Sequence, residues 1–227
     1  MTFKVKHSAI ALAVLTAFGS AHATNLVANT PTANVDYSAT SFGGTMLAQT
    51  LSNISNASYN GVARAAVYDT GTGLDFYYQF TNNASSKNGI ERFTGYDFSS
   101  LGATAVSVYQ TDAAFGMFMA GTEMSDYADR TSLGVIGFSF VPNGASKIDP
   151  GTTSFTQIIR TNARNYQAGN FGLLDGIGDN AKGFAPAAAV PEPETYAMLL
   201  AGLGLMGTIA RRRNKGKAAP EADKTAA

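Results

Sequence analysis

The residues able to do chemistry in this chain are almost all oxygen-bearing. There is no cysteine, and the two histidines, His7 and His22, both fall inside the N-terminal apolar segment. If that segment is removed, the mature protein holds neither residue type. Thiol nucleophiles, Ser-His-Asp triads, Cys–His pairs, disulfides and most zinc or copper sites are then excluded. Carboxylates remain. Between Thr24 and Val190 twelve acids stand against eight bases, so this body is acidic by four charges. It has no basic patch to neutralise phosphates, which argues against a nucleic-acid partner.

Two carboxylates at a suitable separation would support glycoside hydrolysis. None of the twelve acids sits in a recognisable motif for it. Asp126 and Asp129 are three apart and could share one face of a helical turn; a solvated loop with Asp129 beside Arg130 is the plainer reading. Asp175-Gly176-Ile177-Gly178-Asp179-Asn180 spaces its oxygens somewhat as a calcium loop does. It lacks the alternating acids and closing Glu of an EF-hand, so an Asp/Gly turn is expected. No phosphate-binding glycine loop is present. Tyr68, Tyr77 and Tyr109 could stack on sugar rings if they reach a surface; cross-strand aromatic pairing is the alternative use. The residues therefore point to no metal, no cofactor, no catalytic group and a non-enzymatic protein.

These side chains must be positioned by strands. Apolar residues alternate through residues 24–189, with Gly, Asn, Asp, Ser and Thr interrupting every eight to twelve residues. Leu74, Phe76, Tyr78 and Phe80 share one face of a strand, leaving Asp75, Tyr77 and Gln79 for a wet face. The turn Thr70 to Gly73 joins it to a partner over Val62 to Tyr68. Further strands are expected at Thr45 to Leu51, Phe93 to Phe98, Thr104 to Tyr109, Ala113 to Ala120, Leu133 to Val141, Thr152 to Arg160, Phe171 to Leu174 and Gly183 to Ala185. The one helical turn or two is expected around Ser125 to Arg130. So many short strands predict an all-β fold, an antiparallel β-sandwich of jelly-roll-like or immunoglobulin-like kind, with a closed barrel as the alternative.

Both ends carry signals. Residues 1–23 read as a secretory signal peptide: Lys4, Lys6 and His7, an apolar run from Ala9 to Phe18, and a small-x-small cleavage site at Ala21-His22-Ala23. Export through the Sec machinery would leave a mature chain starting at Thr24. At the other end Val190-Pro191-Glu192-Pro193 is followed by apolar residues and then by Arg211-Arg212-Arg213. Thr195 to Ala210 is sixteen residues, or ~24 Å as a helix, slightly short of a ~30 Å hydrocarbon core. Tyr196 and the three arginines can anchor the ends of such a transmembrane helix, and the arginines favour a cytoplasmic C-terminus. Prolines on either side of Glu192 keep that site extended.

Residues 190–213 resemble the PEP-CTERM sorting domain of exported proteins of Gram-negative bacteria. The resemblance rests on Val190 to Pro193, the Tyr196 to Ala210 run with Gly202, Gly204 and Gly207, and the arginine cluster. It implies that the chain is the substrate of an exosortase-like membrane peptidase, cut near Pro191-Glu192-Pro193, with Glu192 part of a recognition signal. It also implies a body passed to the cell surface or extracellular matrix, in a structural or adhesive role associated with exopolysaccharide and biofilm. A carbohydrate-binding module and a carboxylate glycosidase are the alternatives. Asn214 to Ala227, expected as a disordered cytoplasmic tail, extend further past the arginines than such tails usually do.

Overall fold

The computed structural model describes residues 24–29, 33–37, 43–102, 106–141, 147–188 and 193–215. The expected signal peptide with Ala21 and Ala23, the residues Pro191 and Glu192, and residues 216–227 lie outside that set. The chain divides into two units, Met1–Ala187 and Ala188–Ala227.

The first unit is all-β. In chain order its strands are β1 (Thr24–Leu26), β2 (Ala33–Asn34), β3 (Asp36–Tyr37), β4 (Thr45–Ser55), β5 (Asn60–Asp69), β6 (Leu74–Asn82) and β7 (Arg92–Gly95). They continue as β8 (Val106–Thr111), β9 (Tyr127–Arg130), β10 (Ile136–Ser139), β11 (Thr156–Arg160), β12 (Tyr166–Asp175) and β13 (Ile177–Pro186). A first sheet runs β1-β8-β11-β6-β5-β4, with β3 also paired to β8, and a second runs β13-β12-β7-β10-β9-β2. All pairings are antiparallel except β3 with β8.

Alternation along β6 builds the core. Leu74, Phe76, Tyr78 and Phe80 are at most 2% exposed and meet Phe93, Phe138, Phe171 and Leu173 of the second sheet in one cluster. Phe76 meets Phe98 edge-on at 5.3 Å, and Phe93 meets Phe140 and Phe171 at 5.0 and 5.8 Å. These are the separations at which aromatic quadrupoles attract. Two phenols stitch the sheets together while filling the interior. Tyr78 Oη donates to the carbonyl of Phe184 at 2.6 Å, and Tyr59 Oη to that of Leu173 at 2.9 Å.

The other face of β6 departs from expectation. Asp75, Tyr77 and Gln79 are fully buried rather than wet. The chain between β8 and β9 folds back over this side of the first sheet, where Phe118 joins Ala66, Tyr77, Tyr109 and Ile158 in a second cluster bordered by Tyr68, Phe115 and Met117. The expected strand Ala113 to Ala120 is instead a tight turn. Phe115 and Phe118 exchange both backbone hydrogen bonds at 3.1 and 2.9 Å around Gly116, whose φ of +54° admits no side chain cheaply. Gln79 clamps the segment: its Nε2 donates to Met119 O at 2.7 Å and its Oε1 accepts from Met119 N at 2.9 Å. One side-chain amide thus replaces a rung of sheet pairing.

Other boundaries also shift. The expected helix around Ser125 to Arg130 is strand β9, because residues 127–130 pair with β10 on one side and reach β2 on the other. Leu133 lies outside β10 in a turn and is 77% exposed. The strand expected over Phe93 to Phe98 ends at Gly95, and Phe98 begins a 3-10 turn through the expected connection Ser99 to Gly102. The fragments expected at Phe171 to Leu174 and Gly183 to Ala185 are the middles of one long hairpin, β12–β13, turning at Gly176 with φ of +65°.

Replacing Gln79 by Ala removes both bonds to Met119 and strands its backbone groups at a half-covered site. We expect a loss of about 2–3 kcal/mol in urea unfolding, with faster amide exchange across residues 112–126. A loss below about 0.5 kcal/mol would mean that the clamp does not hold this connection.

Candidate functional sites

The second unit contains helix α1, Pro193–Lys215. Its start follows from the sequence. Pro193 occupies the first helical position, where its fixed φ and missing N–H are tolerated. Arg211, Arg212, Arg213 and Lys215 fall in the last turns, where cations suit the carbonyl end. Asn214 and Lys215 thus continue the helix, where a disordered tail was expected from residue 214. Thr208 satisfies its hydroxyl within the helix by donating to Leu205 O at 2.7 Å. Met198, Leu199, Leu200, Leu203, Leu205, Met206 and Ile209 are all more than half exposed, distributed around the whole helix.

Among the described residues no helix is long and apolar enough to cross a membrane. The reason is local. Sixteen residues separate Glu194 from Arg211, and Gly202, Gly204, Gly207 and Thr208 dilute the hydropathy of that run. The expected transmembrane span over 195–210 is therefore not met on length and hydropathy. Of the sorting residues, Pro193 begins α1, while Pro191 and Glu192 lie outside the described residues. Tyr196, Arg211 and Arg212 are exposed along α1; Arg213 lies on its backbone path.

The body's candidate residues are distributed differently from the sequence reading. Tyr77 and Tyr109 are 0% and 7% exposed, and Tyr68 meets Tyr77 edge-on at 4.6 Å beneath Phe115, so cross-strand packing absorbs all three. The larger tyrosine exposures are at Tyr37 and Tyr166. Tyr166 meets Phe184 edge-on at 5.9 Å. Phe184 lines a hollow of about 420 Å³ with Thr50, Asn170 and Lys182 at the edge of the sandwich.

The acids are tied into the fold. Asp129 and Asp126 share no helical face. Asp129 takes a two-pronged bond from Arg92, at 2.7 Å to Oδ1 and 2.9 Å to Oδ2. The guanidinium passes over Gly137, where a Cβ would lie 1.7 Å from Arg92 Nη2, so any larger residue there would have to displace the guanidinium. Asp175 accepts from Ser58 Oγ at 2.6 Å and faces Lys147 at 3.7 Å, while Asp179 accepts from Asn56 Nδ2 at 3.4 Å. Asp175 and Gly176 form a hairpin turn. Among the described residues no three metal-binding side chains come together.

A buried carboxylate with its cation lies on the second face of the first sheet. Asp75, fully buried, receives Arg160 Nε at 3.0 Å and Nη2 at 2.7 Å, and Tyr109 Oη at 3.0 Å. Arg160 also lies 5.1 Å from the centre of the Tyr109 ring. The Asp75 hydrogen bond raises the Arg160 pKa, keeping the guanidinium firmly charged. Burial likewise favours the protonated form of the phenols. It pushes Tyr59 up to about 12 from the ordinary 10.0, and raises Tyr77, Tyr78 and Tyr109 as well. The sequence missed the roles of Arg160 and Gln79 because their partners are brought in from afar, Asp75 by the register of β11 with β6 and Met119 by the fold of the β8–β9 connection.

Two outcomes follow from this electrostatics. Unfolded tyrosines lose protons near pH 10 while the buried ones hold theirs, so stability is intact below pH 10 and falls as pH rises through 12. Thermal melts across that window check it, with the part of the tyrosinate absorbance that belongs to the buried phenols appearing together with unfolding. Separately, Arg160→Met leaves Asp75 buried without its cation and should cost about 2–4 kcal/mol, discounted because Arg160 is partly exposed. Adding Asp75→Asn should recover at least about 1 kcal/mol of that loss in urea unfolding.

No solved structure and no curated protein matches the chain. The match is confined to the end. The PEP-CTERM protein-sorting motif covers residues 189–214, beginning one residue after Ala188 and ending one before the last residue of α1. This motif is the mark of an exported protein sorted by an exosortase. Residues 189–214 are accordingly a PEP-CTERM protein-sorting motif, and the chain is a PEP-CTERM motif-containing protein.

Proposed function

We propose that this protein is exported through the Sec machinery behind the signal peptide 1–23 and held at the inner membrane by α1. An exosortase-type peptidase then releases it by a cut near Pro191-Glu192-Pro193. The released body serves a non-enzymatic, structural or adhesive role at the cell surface or in the extracellular matrix, in association with exopolysaccharide. The observation that carries this reading is a coincidence of boundaries. The motif begins at residue 189, and the chain's own division into units falls between Ala187 and Ala188. A cut at the motif therefore severs no strand of the body, whose last one ends at Pro186.

Transient anchoring is supported by the weakness of α1 as a span. Its apolar run is ~24 Å against a core of ~30 Å, so snorkelling arginines and Tyr196 must cover the difference. Such a helix suits temporary residence. The arginines set orientation, with the C-terminus in the cytoplasm and the body outside. An acidic residue between two prolines gives a peptidase a distinctive sequence to recognise. The non-enzymatic assignment is supported by the structural partners already held by Asp75, Asp129 and Asp175.

Fractionation of the native host checks the proposal. Wild-type chain should be found outside the inner membrane, whereas a chain lacking Pro191-Glu192-Pro193 should stay in it at full length. Equal distribution of the two would refute sorting through this motif.

A further inference from the structure

A sandwich of two open sheets has four edges, and each edge offers unpaired backbone groups to any passing strand unless something blunts it. Among the described residues three of them are blunted here. One edge of the first sheet is made by β1 and β3, three and two residues long. One edge of the second is β2, also two residues. Its other edge, β13, carries Asp179 and Lys182 and ends at Pro186, and the Lys182 N–H already donates to Ser52 Oγ at 3.2 Å. The remaining edge, β4, is different. It is eleven residues long, reads Thr-Met-Leu-Ala-Gln-Thr-Leu-Ser-Asn-Ile-Ser, and contains no charge and no proline. Among the described residues it is paired with β5 alone.

Which atoms β4 presents can be worked out from its pairing. Asn56 N donates to Tyr59 O at the hairpin end. Hydrogen-bonded pairs with β5 then fall at every second position: Ile54 with Gly61, Ser52 with Ala63, Thr50 with Ala65. The N–H and C=O groups of Gln49, Leu51 and Asn53 consequently point away from the sheet. The side chains of the same three residues are exposed, Leu51 at 53%. The bulge between Met46 and Ala48 twists only the first turn of the strand and leaves 48–55 regular.

This stretch is complementary to itself. We propose that β4 pairs antiparallel with β4 of a second copy of this chain, about a two-fold axis at Leu51, to form a continuous sheet across a dimer. Two-fold symmetry sets Leu51 opposite Leu51 and Gln49 opposite Asn53, twice. The centre is an apolar pair flanked by amide pairs that hydrogen-bond across strands, and no like charges meet. Three pairs of outward backbone groups are satisfied on each copy. Because the other edges are blunted, the association closes at two copies and does not propagate. A second copy is favoured over a foreign strand because an uncharged edge has no charge pattern with which to select one.

The absence of cysteine makes the test direct, since a single introduced cysteine can cross-link only to another copy. The two Leu51 Cα atoms in such a pair would lie ~5.5 Å apart, inside the range a disulfide spans. Full chain carrying Leu51→Cys, purified in detergent, should oxidise to dimer at least about tenfold faster than Leu133→Cys, exposed on a turn far along the chain. A mixture of Gln49→Cys and Asn53→Cys chains should cross-link faster than either alone, which fixes the register. In sedimentation, Leu51→Lys should weaken dimerisation by at least about tenfold with an unchanged circular dichroism spectrum. The proposal is overturned if Leu51→Cys cross-links no faster than Leu133→Cys, or if the wild-type chain is monomeric at the same concentration. Dimers that survive Leu51→Lys overturn it too, since α1 would then be the contact.

Discussion

Strand β6 is buried on both faces, and the body is arranged to make that possible. Its inner residues, Leu74, Phe76, Tyr78 and Phe80, are ordinary core aromatics and aliphatics that need a second sheet above them. Its outer residues are a carboxylate, a phenol and an amide, and burying those is costly unless each finds partners. Arg160 and Tyr109 are brought to Asp75 by the registers of β11 and β8. Phe115 and Phe118 cover Tyr77. Gln79 acquires Met119. The long connection from β8 to β9 supplies the cover that Tyr77 and Gln79 need.

That arrangement separates what holds the protein together from what it does. Polar groups that would attract attention as chemistry in the sequence are engaged in holding the sheets. Arg92 bridges β7 and β9 through Asp129, Tyr78 and Tyr59 join sheet to sheet, and Asp175 is tied to Ser58 and Lys147. A cysteine-free domain has no disulfide to limit its unfolded state, so its stability comes from packing and side-chain bonding in the folded state. The surface left over is amide-rich and low in charge. The one long edge without charge, β4, lies on the opposite side of the first sheet from the short strands β1 and β3.

Local signals were legible in the sequence and remote ones were not. The hairpin β5–β6 could be read because alternation and a Thr-Gly-Thr-Gly turn are both written into adjacent residues. The second face of β6 looked wet because Asp, Tyr and Gln are polar, and nothing nearby in sequence announces that residues 112–126 will cover them. Asp126 to Arg130 suggested a helical turn by its spacing; pairing with β10 overrode that preference, as sheet contacts routinely do for short segments. Glycines broke β12 and β13 into apparent fragments, although Asp175-Gly176 is a strong hairpin turn pair. The sorting segment was legible almost in full because it is linear: proline, glutamate, proline, an apolar run and arginines in fixed order.

Sorting by removal of the tail has a direct physical signature in the mass of the product. Intact mass spectrometry of the protein recovered from the surface or matrix of its host should give a body beginning at Thr24 and ending between Val190 and Glu194, without α1. A recovered protein whose mass includes α1 and Arg211 to Arg213 would contradict release at the motif.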